Sequence, residues 1–371
     1  MTLSDFPEFS QNMAFLFIRS KKYLFALFLS MCAIFILWKL GFINTNLNSV
    51  PSNHLEIFKD SSGKPSLLEY RHGNPIDLAI IFRHGKDKEK LQNHLHVAMD
   101  SILAYSSIPV RLHIVTDEES FKVASRIIDA LVKVHQKSFE VVFVSTEKVR
   151  LLSAEESTLS LLQEFFTSRS QVYYRDPLFF FSLFLYDILP GLKRVILMDI
   201  DVRFEADIAE LETYFSRFES SHVMAMTHEL SPAYLHALER YRKDNPHTRL
   251  GSASSEGGFP GYNSGIMLVD IERLKQSAVI KSYLERSVLY GRSDHYKFRG
   301  DLGDQDLYTL IAFDHPELFY TLPCQWNRQL CQWWRDKGYA HIFDRYFACS
   351  GRIKVYHGNC GSVMPSKVKV N

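Results

Sequence analysis

The sequence predicts an α/β protein, a doubly wound and mostly parallel sheet with helices on both faces, preceded by one transmembrane helix. Three observations predict it. Short apolar runs alternate with stretches whose apolar residues recur every three or four positions, the pattern of βαβ units. One run, Val195 to Met198, ends on two carboxylates, Asp199 and Asp201, where open α/β sheets place their ligands. Residues 23–43 form a nearly uncharged apolar stretch just long enough to span a bilayer of roughly 30 Å.

That stretch fixes the expected order of the chain. Arg19, Lys21 and Lys22 precede it, and its far flank is polar and uncharged, so the positive-inside rule keeps the N-terminus cytosolic. Lys39 sits near the far end, where it can snorkel, and Tyr23 and Trp38 suit the interfacial belts. The run is long for a cleaved signal, and no clear small-x-small site follows. The expected units are a cytosolic tail (1–22), an anchor (23–43), a polar luminal stem (44–74) and a globular domain (75–371). Cys324, Cys331, Cys349 and Cys360 fall behind this anchor, and four cysteines in an oxidising lumen suggest two disulfides, with three pairings open. No Asn-x-Ser/Thr sequon occurs. The 371 residues are 46% hydrophobic, enough for one large domain or two small ones, and the net charge of +1 points to no nucleic-acid partner.

Within the domain, Ile76 to Phe82 reads as the first strand. Leu91, Leu95, Met99 and Ile102 share one helix face. Val110 to Val115 is strand-like, Phe121 to Val134 helical, Glu140 to Val144 strand-like, and Leu178 to Leu189 an apolar helix stopped by Pro190-Gly191. The strand at 195–198 follows, and alternate residues of an extended chain would aim Asp199 and Asp201 at one point. Two hard oxygen ligands suit a divalent cation, and a cation there suits a diphosphate. Val223 to Thr227 is a further strand, and Ser231-Pro232 reads as cap and first position of a helix. No Gly-x-Gly-x-x-Gly and no Walker-type loop is present, so a nucleotide must be held in another way.

Three further motifs carry polar chemistry. Phe259-Pro-Gly-Tyr-Asn-Ser-Gly265 reads as a loop before an apolar strand, Ile266 to Val269, with Asn263 and Ser264 as donors and Gly265 letting backbone approach a ligand. Leu302-Gly-Asp-Gln-Asp306 opens a helix, with Asp304 as its cap. In Val355-Tyr-His-Gly-Asn359, a neutral imidazole at His357 would complete a site begun by two carboxylates.

In this order, Asp199-Ile-Asp201, Asn263-Ser-Gly265, Gly303-Asp-Gln305 and His357-Gly358 resemble the motifs of the retaining glycosyltransferases of family 8, the glycogenin-like group with the GT-A fold. The resemblance covers roughly residues 76–361. Pro260 to Gly265, Phe298 to Asp306, Cys324 to Arg335 and Tyr356 to Cys360 narrow it to members that transfer xylose from UDP-xylose. Those members extend, in α-1,3 linkage, a xylose–glucose disaccharide on EGF-like repeats such as those of Notch. They are type II proteins of the endoplasmic reticulum membrane, with the Golgi as the alternative for this chain, and a homodimer is left open.

The resemblance implies a cation, Mn2+ or Mg2+, held by Asp199, Asp201 and His357. It implies that Ile81, Phe82, Arg83 and Ile200 receive the nucleotide, partly through backbone. Asn263, Ser264, Gly265, Leu302, Gly303 and Gly358 would line the donor. Gln305 would orient the sugar and stabilise charge at the anomeric carbon, with Asp304 beside it as a second catalytic candidate. Trp333, Trp334 and Asn359 are acceptor-side candidates, since aromatic faces pack on sugars. Two departures stand out. Ser182 occupies a position where the family often carries a basic residue, and Gly361 stands where a lysine is usual. The rival readings are a family 8 enzyme using UDP-glucose, UDP-galactose or UDP-glucuronate, and a non-catalytic sugar-binding protein. A phosphatase of the haloacid-dehalogenase type expects a Thr soon after the second Asp, where Val202-Arg203-Phe204 stand.

Overall fold

The computed structural model describes residues 75–137, 139–146, 156–167 and 176–365. The expected tail, anchor and stem (1–74) lie outside the described residues, among which no helix is long and apolar enough to cross a membrane. Strand β1 (Ile76–Ile81) leads into helix α1 (Glu89–Tyr105), β2 (Val110–Thr116), helix α2 (Glu118–His135) and β3 (Phe139–Ser145). Asp117 caps α2 by accepting the Ser120 amide at 2.9 Å. Helix α3 (Glu156–Phe166) precedes β4 (Arg194–Met198), β5 (Val202–Phe204), β6 (Met224–His228) and β7 (Tyr262–Asp270). Helix α4 (Asp304–Asp314), β8 (Phe319–Leu322), β9 (Arg328–Gln329) and β10 (Val355–His357) complete the frame, with the helices Arg286–Tyr296 and Ala340–Phe347 and several shorter helical turns between the strands.

Seven strands form the main sheet in the order β3-β2-β1-β4-β7-β6-β8. β1, β2, β3 and β4 run parallel, while β7 is antiparallel to both of its neighbours. Six strands therefore point one way and β7 alone reverses, since β6 and β8 are again parallel. The expected mostly parallel sheet is present, and β4 is its central strand. Along β4, Val195 and Leu197 enter one core while Ile196 and Met198 enter the other. α1 and α2 cover one face through Leu95, Met99, Phe121 and Ile128. α3 and α4 cover the other through Leu162, Phe165, Leu307 and Leu310. Each such buried side chain contributes roughly 1.5–3 kcal/mol.

A small second sheet, β5-β10-β9, stands beside the main one. β10 pairs antiparallel with β5 and parallel with β9. Two disulfides tie this region, Cys324–Cys349 and Cys331–Cys360, so the four clustered cysteines form two bridges as expected.

Several local expectations are corrected. Leu178 to Leu189 is mostly a 3-10 helix (Pro177–Phe184) followed by one α-turn (Leu185–Ile188). Its start is set by Asp176, whose carbonyl accepts the Phe179 amide and whose carboxylate accepts that of Leu178. Buried on nearly all sides, the run has no polar face to impose an α period. Ser231 caps nothing, because Pro232 precedes a five-residue helix without a side-chain cap. Asp304 is the first helical residue of α4 and not its cap, which is Gly303 at φ 66°. Asn263-Ser-Gly265 lies inside β7 and not in a loop before it, and there the register against β6 slips between Met226 and Thr227.

Candidate active site

β4 ends at Met198, and β5 begins at Val202 in the other sheet. Asp199-Ile-Asp201 is the crossing between the two. The acids meet through a turn, and not through the alternation of an extended strand. The turn is pinned from both sides, because the Asp199 amide donates to the Gly265 carbonyl at 2.9 Å and the Gly358 amide to the Asp201 carbonyl at 2.7 Å. Antiparallel pairing of His357 with Val202 brings β10 alongside. The His357 Nε2 atom then stands 3.2 Å from Asp199 Oδ2 and 3.4 Å from Asp201 Oδ1.

The ligand atoms of Asp199, Asp201 and His357 all lie within 4.8 Å of one another. Two hard oxygens and one imidazole nitrogen suit a divalent cation. Burial opposes a charge on His357, but the two carboxylates outweigh it and push the imidazole up to about 10. Burial likewise opposes ionisation of Asp201, and His357 holds that carboxyl below its usual range. The three groups thus converge on a positive charge, which a proton or a cation can supply.

A buried polar chain supports the imidazole from behind. The Gly265 amide donates to Asn263 Oδ1 at 3.1 Å, which fixes that oxygen as an acceptor. Asn263 Nδ2 must then donate to Glu229 Oε2 (2.9 Å), and Asn327 Nδ2 to Asn263 Oδ1 (2.8 Å). The remaining Asn327 oxygen meets His357 Nδ1 at 2.9 Å. Nδ1 therefore carries a proton, and Nε2 faces the acids, where it holds a second proton or, in its place, a cation. Gly265 has to be glycine here, since a Cβ would lie 2.2 Å from His357 Cε1. Glu229 is a single polar residue outside any motif, and Asn327, although within the Cys324 to Arg335 stretch, carries no sequence signal of this role.

Gln305 is buried at the start of α4. Its Oε1 accepts the Ser264 amide at 3.1 Å, and its Nε2 donates to Tyr234 Oη at 3.2 Å. Tyr234 in turn donates to Asp306 Oδ1 at 2.8 Å, and Asp306 Oδ2 accepts the Leu302 amide at 2.6 Å. Burial pushes Asp306 up to about 7. Ser264, Gln305 and Leu302 are thus brought together, supported by Tyr234, which no motif flagged, and by Asp306, which ends the Leu302 to Asp306 motif without having been given a role. Asp304 hydrogen-bonds the Ser182 hydroxyl, which also lies 2.9 Å from Tyr308 Oη. With this neutral serine as its partner, burial, reinforced by the charge of Asp199, pushes Asp304 up to about 7.

The other expected residues are placed as follows. Ile81 ends β1. The Phe82 ring is fully buried, and its carbonyl accepts the Thr116 hydroxyl. Arg83 pairs with Asp176. Ile200 packs on the α1/α2 core from within the Asp turn. Gly303 donates its amide to the Phe166 carbonyl. Asn359 Oδ1 accepts the Leu330 and Cys331 amides at 3.0 and 2.9 Å, so its carbonyl braces the loop after β9. Trp333 is 51% exposed and sits edge-on to Trp334, which also contacts His236 and Tyr339.

Residues 85–343 match the model of glycosyl transferase family 8. The chain is 36% identical over 312 residues to mouse xyloside xylosyltransferase 1, covering 82% of this chain and 79% of that protein. It is 35% identical over 309 residues to the human protein of the same name, with 81% and 78% covered. The crystal structure of the mouse protein in its apo form superposes with a TM-score of 0.72 at 36% identity, covering 79% of this chain and 100% of the other. The superposition agrees with the GT-A arrangement that the strand order describes. The chain belongs to glycosyltransferase family 8.

Proposed function

We propose that this protein is a cation-dependent, retaining xylosyltransferase. It takes xylose from UDP-xylose and adds it in α-1,3 linkage to a xylose–glucose disaccharide O-linked to EGF-like repeats. The observation that carries the reading is the convergence of Asp199, Asp201 and the oriented Nε2 of His357, with Gln305 held against Ser264 on the neighbouring strand. The likeness to two xyloside xylosyltransferases supports the sugar and the acceptor class.

Asp199, Asp201 and His357 would hold a divalent cation, Mn2+ by preference, for binding the donor's diphosphate. When bound, it supplies Lewis-acid stabilisation of the charge that builds on the leaving UDP. β1's end and the Ile200 backbone receive the nucleoside, while Asn263, Ser264, Gly265, Leu302 and Gly303 bound the xylose.

Retention requires either a covalent intermediate or attack on the face that the leaving group departs from. A carboxamide is a poor nucleophile. Gln305, fixed at both ends of its amide, orients the sugar and stabilises positive charge at the anomeric carbon. The bond from C1 to the β-phosphate oxygen breaks with its electron pair on that oxygen. The acceptor hydroxyl bonds to C1 on the same face, and its proton passes to the departing phosphate. The two disulfides and the expected anchor favour a luminal, type II protein of the endoplasmic reticulum.

The test is a donor panel. The purified protein, with Mn2+ and a xylose–glucose acceptor, is offered UDP-xylose, UDP-glucose, UDP-galactose and UDP-glucuronate. Selective formation of a trisaccharide from UDP-xylose supports the reading. Selective use of another donor replaces the sugar, and a xylose covalently trapped on any side chain removes the same-face mechanism.

A further inference from the structure

A cleft of about 350 Å³ opens beside Asp201, between α1 and the C-terminal segment. α1 contributes Lys90, Asn93 and His94 above an apolar floor that includes Val97, and the opposite wall runs from Gly361 to Met364. The Lys90 ammonium lies close over that wall, 2.9 Å from where a Cβ on Gly361 would stand. Among the described residues Lys90 forms no ion pair. Lys90 is the one cationic side chain among the residues that line the cleft, and Arg83 and Lys354, outside it, are committed to Asp176 and Glu210. His94, half buried, lines the cleft beside Asp201.

Charge then decides what the cleft lacks. Asp199 and Asp201 offset a divalent cation, so nothing in that set offsets the two charges of a sugar-linked diphosphate, nor the further charge left when the sugar departs. Ser182 is neutral, and the C-terminal segment offers glycine at 361. We infer that Lys90 binds the donor's diphosphate in this cleft, supplying from α1 the cation that the C-terminal segment does not. The inference rests on the UDP-sugar reading above.

The experiment is calorimetric titration of the Mn2+-loaded full chain with UDP, pyrophosphate and uridine. Lys90 is exposed, so Lys90→Met should fold with an unchanged Tm. It is expected to bind UDP and pyrophosphate about tenfold more weakly, the loss of roughly one charge-assisted hydrogen bond in an open cleft, and uridine unchanged. Lys90→Arg should keep UDP affinity within about threefold, since the charge persists. Equal UDP affinity in the native chain and Lys90→Met overturns the role of Lys90 while leaving the donor reading intact. A native chain that binds UDP no better than uridine removes the donor reading, and the inference with it.

Discussion

Asn327 presents its carbonyl oxygen to His357 Nδ1 at 2.9 Å, and this contact settles which imidazole nitrogen faces the acid pair. Its direction is set two residues away, by the Gly265 amide on Asn263. Asn327→Leu keeps the volume and removes the acceptor. We expect Mn2+ affinity to fall about 10–100-fold, as measured by paramagnetic resonance of free Mn2+, with activity recovering at excess cation. Unchanged affinity would reduce the buried chain to packing.

Gly265→Ala should be the more severe change. The new Cβ would lie 2.5 Å from His357 Nδ1 as well as 2.2 Å from Cε1, and the imidazole is pinned on both sides. The expected outcome is a folded chain, its Tm lowered by several degrees, whose Mn2+ affinity drops at least about tenfold. A variant with native cation binding would show that the imidazole can move aside.

Much of this site was legible because its parts are short, ordered motifs. Asp199, Asp201, Gln305 and His357 could be named, and the alternation of runs announced the sheet. The reversal of β7 was not legible, because an apolar run reads alike in either direction. Nor was the placement of Asn263 to Gly265 within that strand, since the slip in register comes from its neighbour β6. Asn327, Glu229 and Tyr234 act through contacts 30 to 71 residues away in the chain. Such contacts leave no periodicity. The 3-10 winding after Asp176 escaped because a run buried all round carries no phase.

Stability should depend on pH through Asp306. Burial raises this carboxyl from 3.8 to about 7 in the folded chain. Between those values the folded state binds more protons than the unfolded one, so this group's contribution falls as pH rises and levels off above about 7. Asp306→Asn stays neutral throughout and keeps one acceptor for the Leu302 amide. Its Tm relative to the native chain should therefore be higher near pH 8 than near pH 5, by about 3 °C or more. An offset independent of pH would place the titration elsewhere.

Trp334 stands among Trp333, His236 and Tyr339. If this aromatic group packs on the acceptor sugar, Trp334→Ala should raise acceptor KM about tenfold and leave hydrolysis of UDP-xylose nearly intact. Equal losses in both reactions would assign the ring to the core.

Two carboxylates and one oriented imidazole should gather a divalent cation that holds a nucleoside diphosphate. The most direct measurement is UDP affinity of the native chain with Mn2+ and after chelation, alongside Asp201→Asn and His357→Ala. Tight binding is expected only in the native chain with cation, with losses of about 100-fold or more in the other three. UDP binding that survives chelation and both substitutions would contradict it.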